Sequence, residues 1–193
     1  MTLARCAGLV KTAPARAIDA ANRWTLEGGA IDARLCLGQA YVATDRWAAA
    51  ASAFAQAADD ATRASDDRAA HLRVQSGNAW LAANEPAKAI AALNGALALA
   101  TMSDGLRGEA LIDRARAHVA AGDLVAARTD LDAGVALVPE DPFGWYASAS
   151  LAARAGNAAC ARSDIGKALA LAPGDTDISA LAALLTAAKG VHP

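Results

Sequence analysis

The chain has 193 residues, of which 55% are hydrophobic, and it carries a net charge of −2 at pH 7. This weak acidity differs from the basic surface of nucleic-acid-binding proteins, so we expect neither nucleic acid nor anionic lipid as the main partner. No uninterrupted apolar stretch reaches the roughly 18 residues that a membrane span needs, and we attribute the hydrophobic fraction to alanine used for close helix packing.

Residues 1–30 have the pattern of an incomplete helical hairpin. Pro14 and the apolar residues after it have the spacing of one helix face, and counting back places Met1 inside a preceding helix. We assign this segment as a partial repeat. Arg5 interrupts the apolar stretch near the start, which is unlike a signal peptide. We expect a soluble, cytoplasmic protein, with a periplasmic protein whose signal sequence has been removed as the alternative.

One pattern occurs four times in the next part of the chain. Gly122 and Gly156 are 34 residues apart, and so are Pro139 and Pro173. A period of about 34 residues is the length of a helix, a tight turn and an antiparallel second helix, which buries its apolar faces only against a neighbouring copy. We therefore expect an all-α fold. The repeats are assigned to 31–69, 70–107, 108–141 and 142–174.

Small and bulky residues recur in a fixed order in these copies. Glycine or alanine occupies the sites where two helices would approach closely, because a larger side chain would force them apart. These sites are Gly38, Ala50, Gly77, Ala89, Ala115, Ala127, Ala149 and Ala161. Bulky residues fall on the inward stripes, and we expect them to fill the core. They are Tyr41, Phe54, Trp80, Leu93 and Leu131.

Turn residues agree with this frame. Aspartate, asparagine or glycine lies where the chain must reverse between the two helices of each copy. These residues are Asp45, Asn84, Gly122 and Gly156. The segment 58–68 adds residues between the helix hairpin of the first copy and that of the second, and it is expected to lengthen a helix. Its acidic pairs, Asp59-Asp60 and Asp66-Asp67, are interpreted as a solvated face.

Residues 175–190 are predicted to form a capping helix. Asp175 is placed to cap its start, apolar residues lie on one stripe, and Gly190 ends it. This stripe would cover the open end of the last repeat. Alanines leave the outer face of the helix apolar, so docking of a second copy to give a homodimer is an alternative use of this end.

One copy carries a recognisable family pattern. The order is Leu37-Gly38, Tyr41, Ala50 and Phe54. It resembles the tetratricopeptide repeat (TPR) pattern W-x2-L-G-x2-Y followed by A-x3-F, with Arg34 in place of the leading tryptophan. The resemblance implies a right-handed α-solenoid of about four TPR helix hairpins, with a partial N-terminal repeat and a C-terminal capping helix, as a single domain over 1–193.

The same resemblance implies where a partner would bind. In TPR proteins the first helices of successive repeats line a concave groove. Carried over by register, the ligand-facing positions are Asp32, Gln39, His71, Gln75, Asn78, Glu109, Asp113, Arg116, Phe143, Tyr146, Ser150 and Arg154. Such a groove fits a protein or peptide ligand, with amides to hold its backbone and two aromatic side chains as anchors.

The charges of this groove differ from those of one well-known TPR subgroup. Members that bind acidic chaperone tails use a clamp of lysine, arginine and asparagine. Here Val74 replaces the lysine, and Glu109 and Asp113 are negative. We expect no binding to such tails, and a ligand with a basic or neutral segment near Glu109 and Asp113 instead.

No catalytic or metal-binding constellation is recognisable in the sequence. The cysteines form no C-x-x-C motif and have no histidine at zinc-site spacing. No Ser/His/Asp order and no phosphate-binding loop occurs. We expect a non-catalytic scaffold without metal or cofactor. The alternatives are a self-assembling structural module and a small-ligand or enzyme-associated domain.

The three cysteines are Cys6, Cys36 and Cys160. In the repeat frame the first two lie on the first helices of adjacent copies, on roughly the same face. Their placement is compatible with a disulfide, and both the bonded and the free state stay open. A bond would imply an oxidising compartment such as a periplasm. Cys160 is expected to be buried as a small apolar side chain.

Overall fold

The computed structural model describes residues 1–187, which form eleven α-helices and no β-strand. The helices are α1 Leu3–Thr12, α2 Pro14–Leu26, α3 Ala30–Val42, α4 Trp47–Arg63, α5 Ala69–Ala82, α6 Pro86–Leu97, α7 Asp104–Ala121, α8 Leu124–Leu137, α9 Pro142–Arg154, α10 Ala158–Leu171 and α11 Thr176–Ala187. None of these helices is both long and apolar enough to cross a membrane. The all-α prediction is confirmed.

The chain divides into two compact units. Unit 1 spans Met1–Met102 and contains α1 to α6, while unit 2 begins at Ser103 and contains α7 to α11. Within each unit every helix packs against the next one in the chain, as expected for stacked helix hairpins. A single domain over 1–193 stays a prediction.

The small residues lie at close helix contacts. All eight of those chosen from the sequence are buried. A Cβ atom added to Gly77 of α5 would lie 2.6 Å from Leu93 Cγ of α6, and one added to Gly38 of α3 would overlap the Phe54 ring of α4. Glycine is therefore required at these two positions for the helices of each hairpin to touch.

The bulky residues divide into two groups. Phe54, Leu93 and Leu131 are almost completely buried, as predicted. Tyr41 and Trp80 are half-buried against the core of unit 1. Their outer faces are covered by cations: the Arg46 guanidinium lies 4.5 Å from the Tyr41 ring, and the Lys88 ammonium 4.6 Å from the Trp80 ring. These rings thus contribute to packing and to cation–π contacts.

The turns inside the four repeats use a left-handed backbone residue. The φ angle is +55° at Asp45, +58° at Asn84, +86° at Gly122 and +74° at Gly156. Glycine adopts this conformation without a steric penalty, and aspartate and asparagine tolerate it better than most residues. This preference is why the sequence pattern located the turns correctly.

The interpretation of the acidic pairs as a solvated face holds for Asp59 and Asp67, which are exposed, but not for Asp60 and Asp66, which are half-buried. Asp60 forms ion pairs with Arg34 of α3 and with Arg63, and Asp59 accepts a hydrogen bond of 3.0 Å from Arg73 of α5. They reach these partners because α4 is lengthened to 17 residues and packs against both α3 and α5. Arg34 stands where the TPR pattern has its leading tryptophan, and its ion pair with Asp60 links α3 to α4.

Arg68 links the segment between α4 and α5 to α3. Its guanidinium donates hydrogen bonds of 2.8 and 2.9 Å to the two carboxylate oxygens of Asp66, and one of 2.7 Å to Asp32. The bonds from Arg68 lower the pKa of Asp66 from its ordinary 3.8 to about 2. The same pairing raises the pKa of Arg68.

The last described helix caps unit 2. The Asp175 carboxylate accepts hydrogen bonds of 3.0 Å from the backbone N–H groups of Asp177 and Ile178 at the start of α11. Ile178 is fully buried against a cluster that includes Ile165. The side of α11 away from this cluster exposes 68% of Leu184. The predicted end at Gly190 lies outside the described residues.

The cysteines have two different environments. A disulfide joins Cys6 of α1 to Cys36 of α3, with their Cα atoms 5.9 Å apart, and both residues are fully buried. The prediction that Cys160 is buried is wrong, because it is exposed. It lies in the first turn of α10, on the side of the helix away from the buried residues Ala161 and Ile165.

Candidate functional site

A cavity of about 580 Å³ lies in unit 2, between α7 and α9. Its floor is apolar, and its rim carries polar, charged and aromatic side chains. The floor residues are Ile112, Ala115, Val119, Leu131, Ala147 and Leu151. Because first helices of consecutive repeats form its walls, the cavity occupies the place where the TPR resemblance predicts a ligand.

Seven of the residues chosen from the sequence line this cavity. They are Glu109, Asp113, Arg116, Phe143, Tyr146, Ser150 and Arg154. All seven come from the third and fourth repeats, at helical spacings of three and four residues that put them on one side of α7 and one side of α9. The structure thus brings together every predicted groove residue of unit 2.

Local capping fixes the starts of the two walls. Ser103 accepts a hydrogen bond of 3.3 Å from the Leu106 N–H at the start of α7. Asp141 accepts one of 2.9 Å from the Phe143 N–H at the start of α9. The Trp145 indole N–H donates a 2.8 Å bond to the Pro139 carbonyl. The two capping bonds fix the residue at which each helix begins.

An ion pair with a buried carboxylate joins the α7 wall to α8, on the side away from the cavity. Arg114 donates two hydrogen bonds of 2.7 Å to the Asp130 carboxylate of α8, and Asp130 is only 5% exposed. His118 Nε2 lies 3.8 Å from the same carboxylate. Such a bidentate arrangement restricts rotation of α7 on α8. The sequence did not indicate this pair, although its members are only 16 residues apart and lie on the two helices of one hairpin.

The charges at the rim are separated along the cavity. Glu109, in the first half of α7, lies toward one end with Asp141, Asp113 follows one turn later, and Arg154 ends α9 at the other end. Arg116 lies 3.0 Å from Asp113 and partly neutralises it. Within residues 1–187, neither Glu109 nor Arg154 has an ion-pair partner. Asp141 was not among the groove residues predicted from the sequence, so its place at the rim was missed.

Phe143 is the most unusual rim residue, because 58% of this large aromatic side chain is exposed. It begins the cavity side of α9, and Tyr146 follows one turn later. An aromatic ring exposed beside an apolar floor is typical of binding anchors, which gain free energy when a partner covers them.

The predicted groove residues of unit 1 have varied environments. Asp32 is engaged by Arg68. The Gln75 carbonyl oxygen is buried and has no hydrogen-bond partner among the described residues. His71 is exposed, whereas Gln39 and Asn78 are half-buried.

A second cavity in unit 2, of about 640 Å³, lies between α8, α9 and α10. Its charged side chains pair with one another. Arg128 donates bonds of 2.5 Å to Asp132 and 2.9 Å to Ser148, which donates one of 2.6 Å to Asp164. Lys167 lies 3.5 Å from Asp164 and covers the Trp145 ring. This network holds three helices together, and we assign it a structural role.

No protein-family model and no curated protein matches the sequence. Solved TPR structures are similar in fold. YrrB, a TPR protein with an unusual peptide-binding site, has a TM-score of 0.66 and 20% identity, covering 96% of this chain and 89% of that chain. TTC0263, a thermophilic TPR protein in Thermus thermophilus, has a TM-score of 0.66 and 17% identity, covering 88% of this chain and 89% of that chain.

A third structure contains a ligand. The first TPR of Spaghetti (RPAP3), bound to the HSP90 peptide SRMEEVD, has a TM-score of 0.57 and 16% identity, covering 63% of this chain and 95% of that chain. At these identities the likeness supports a common fold. Together with the repeated sequence pattern and the helix hairpins, it identifies the chain as a protein of the tetratricopeptide repeat fold.

Proposed function

We propose that this protein is a non-catalytic scaffold that binds a protein or peptide segment in the cavity between α7 and α9. The observation that carries this proposal is the apolar floor beside the exposed Phe143 ring. An extended segment placed there would cover apolar surface that is otherwise hydrated, and it would meet polar rim groups that hold its backbone.

The rim charges indicate the chemistry of the ligand. Glu109, Asp113 and Asp141 favour a basic or neutral segment at their end of the cavity. An acidic chaperone tail would be repelled there, so the ligand of this protein differs from the HSP90 peptide held by the RPAP3 domain. The net charge of −2 supports a protein partner over nucleic acid.

We propose that the predicted groove residues of unit 1 add a second contact surface. His71, Gln75 and Asn78 lie on α5 at spacings of four and three residues, so one ligand could contact the same side of the helix at all three. The disulfide between Cys6 and Cys36 favours an oxidising compartment such as a periplasm over the cytoplasm.

Affinity capture followed by mass spectrometry tests the cavity. The bait proteins are the parent chain, the double variant Phe143→Ala/Tyr146→Ala, and Val125→Ala as the matched control, because Val125 is 80% exposed on α8 and does not line the cavity. We expect partners captured by the parent and the control to be lost from the double variant. Equal recovery by all three baits at equal thermal stability would reject the cavity as the binding site.

Self-association through α11 is a second candidate function. Leu184 and Leu171 expose 68% and 45% of their surface at this end of unit 2, which a second copy would cover. Light scattering on the parent chain and on Leu184→Asp tests it. A parent dimer that the substitution converts to a monomer would support this function, and a monomeric parent would exclude it.

A further inference from the structure

We propose that the ligand of the α7–α9 cavity carries two opposite charges about five residues apart, a basic group for Glu109 and a carboxylate for Arg154, with an apolar side chain between them. This inference rests on the proposed function and specifies its ligand. The proposed function specifies only a basic or neutral segment. This inference adds a carboxylate on the ligand and the number of residues between its two charges.

The two anchors are the charged rim groups that stay unpaired. Arg116 is satisfied by Asp113 at 3.0 Å, and Asp141 is used in capping α9. Glu109 and Arg154 have no ion-pair partner within the described residues, and both side chains are exposed. A ligand can therefore neutralise each of them without breaking an existing pair.

The spacing follows from the repeat register. Two hairpin turns separate α7 from α9, so the two helices run in the same direction, and the 34-residue offset places Glu109 level with Phe143. Arg154 lies eleven residues beyond Phe143, a rise of about 16 Å along a helix. An extended chain advances about 3.3 Å per residue, so this offset along the helices corresponds to about five residues between the two charges of the ligand.

The surface between the anchors is suited to an apolar side chain and a peptide backbone. Ile112 and Leu151 form the middle of the floor. The Tyr146 and Ser150 hydroxyls face the cavity and make no hydrogen bond with other described residues, so they are available to the ligand backbone. Phe143 adds an aromatic contact beside the Glu109 end.

Binding of three synthetic hexapeptides tests the charge pattern. Each is acetylated, amidated and labelled with an uncharged dye, and each has Ser-Leu-Leu-Ser as its interior. The ends are Lys and Glu, Lys and Lys, or Glu and Glu. Fluorescence anisotropy should show the parent chain binding the Lys/Glu peptide about two- to fivefold more tightly than either other peptide, and less so at high salt.

Charge-reversal variants provide the decisive comparison. We expect Glu109→Lys to prefer the Glu/Glu peptide and Arg154→Glu to prefer the Lys/Lys peptide. The double variant should return to the Lys/Glu peptide, because that peptide can lie in the opposite direction. A structural role for either residue would lower the affinity for all peptides equally. The same peptide ranking in all four proteins would overturn this inference.

A blocking variant separates this inference from the proposed function. Ser150→Trp fills the cavity, and Ala159→Trp on the exposed side of α10 is its matched control. If Ser150→Trp loses binding of every peptide while its control does not, and if charge does not affect the peptide ranking of the parent, the cavity function would be supported and the charge pattern would be rejected. Failure of all peptides to bind the parent, or unchanged binding by Ser150→Trp, would overturn both.

Discussion

Single glycines show how closely the helices of one repeat approach each other. We expect Gly77→Ala to destabilise the protein by about 1–3 kcal/mol, because the new methyl group would lie 2.6 Å from Leu93 Cγ in a fully buried contact. Alanine is the better helix former by about 1 kcal/mol, and the steric cost exceeds this gain. Urea unfolding measures the difference.

Gly166→Ala is the matched control. This glycine also lies inside a helix, but a Cβ atom there would meet nothing within 4 Å, so the substitution should stabilise the protein by up to about 1 kcal/mol. Equal effects of the two substitutions would show that helix propensity, and not interhelical contact, determines the choice of glycine at position 77.

The Asp66 carboxylate should make stability depend on pH. Its pKa is lowered to about 2 in the folded protein against an ordinary 3.8, so its contribution is fully present above about pH 4 and is lost as the pH falls toward about 2. Asp66→Asn removes this contribution. The difference in unfolding free energy between parent and variant should be constant from about pH 7 to 5 and shrink below about pH 4. A difference that grows on acidification would contradict this assignment.

At the scale of one element, α11 illustrates why a stacked fold needs an end. A chain ending at Pro173 would expose Ile165 and the rest of the cluster that Ile178 covers, and we expect it to bind hydrophobic dye and to aggregate. Ile178→Ala should cost about 2–4 kcal/mol, since this side chain is fully buried.

Leu184→Ala is the control for this helix. The side chain is 68% exposed, so its truncation should change stability by less than about 0.5 kcal/mol. A shortened chain that stays monomeric and equally stable would show that α11 does not act as a cap.

The sequence predicted elements well wherever the signal was local. The left-handed turns at Asp45 and Asn84 and the capping of α11 by Asp175 each depend on residues within a few positions of one another, so a single sequence is enough to find them. The ion pair between Arg34 and Asp60 was missed because its members lie 26 residues apart and meet only once α4 is extended beyond its usual length.

At the scale of the whole molecule, the disulfide should stabilise one region selectively. It closes a segment with a sequence separation of 30 residues, and constraining such a segment is worth about 3–4 kcal/mol. Reduction should therefore accelerate amide hydrogen exchange most in α1 to α3, with an effect that decays along the chain because repeats are stabilised mainly by their neighbours. Mass spectrometry of exchanged fragments measures this profile.

The variant Cys160→Ser controls for the exposed thiol and should leave that profile unchanged. Thiol titration of the denatured, unreduced protein should give one free sulfhydryl. Three would exclude the bond between Cys6 and Cys36.

The candidate site was predictable in position but not in electrostatics. Alignment with the TPR pattern was enough to assign Glu109, Tyr146 and Arg154 to one groove, because helical spacing alone determines which residues share a helix face. It could not show that Asp32 is occupied by Arg68, 36 residues away, while Glu109 has no partner among the described residues. Pairing depends on which side chains packing brings within reach, and composition does not reveal it.

The amino-acid order alone determined the helix hairpins, their period, their turns and the small residues that let the helices touch, because these features follow from backbone preferences and apolar spacing over one or two turns. Only the tertiary structure decided which charges are neutralised, that Cys6 and Cys36 are joined while Cys160 faces solvent, and that seven rim residues enclose one cavity. These properties depend on distances between side chains on different helices, which are set when the helices pack.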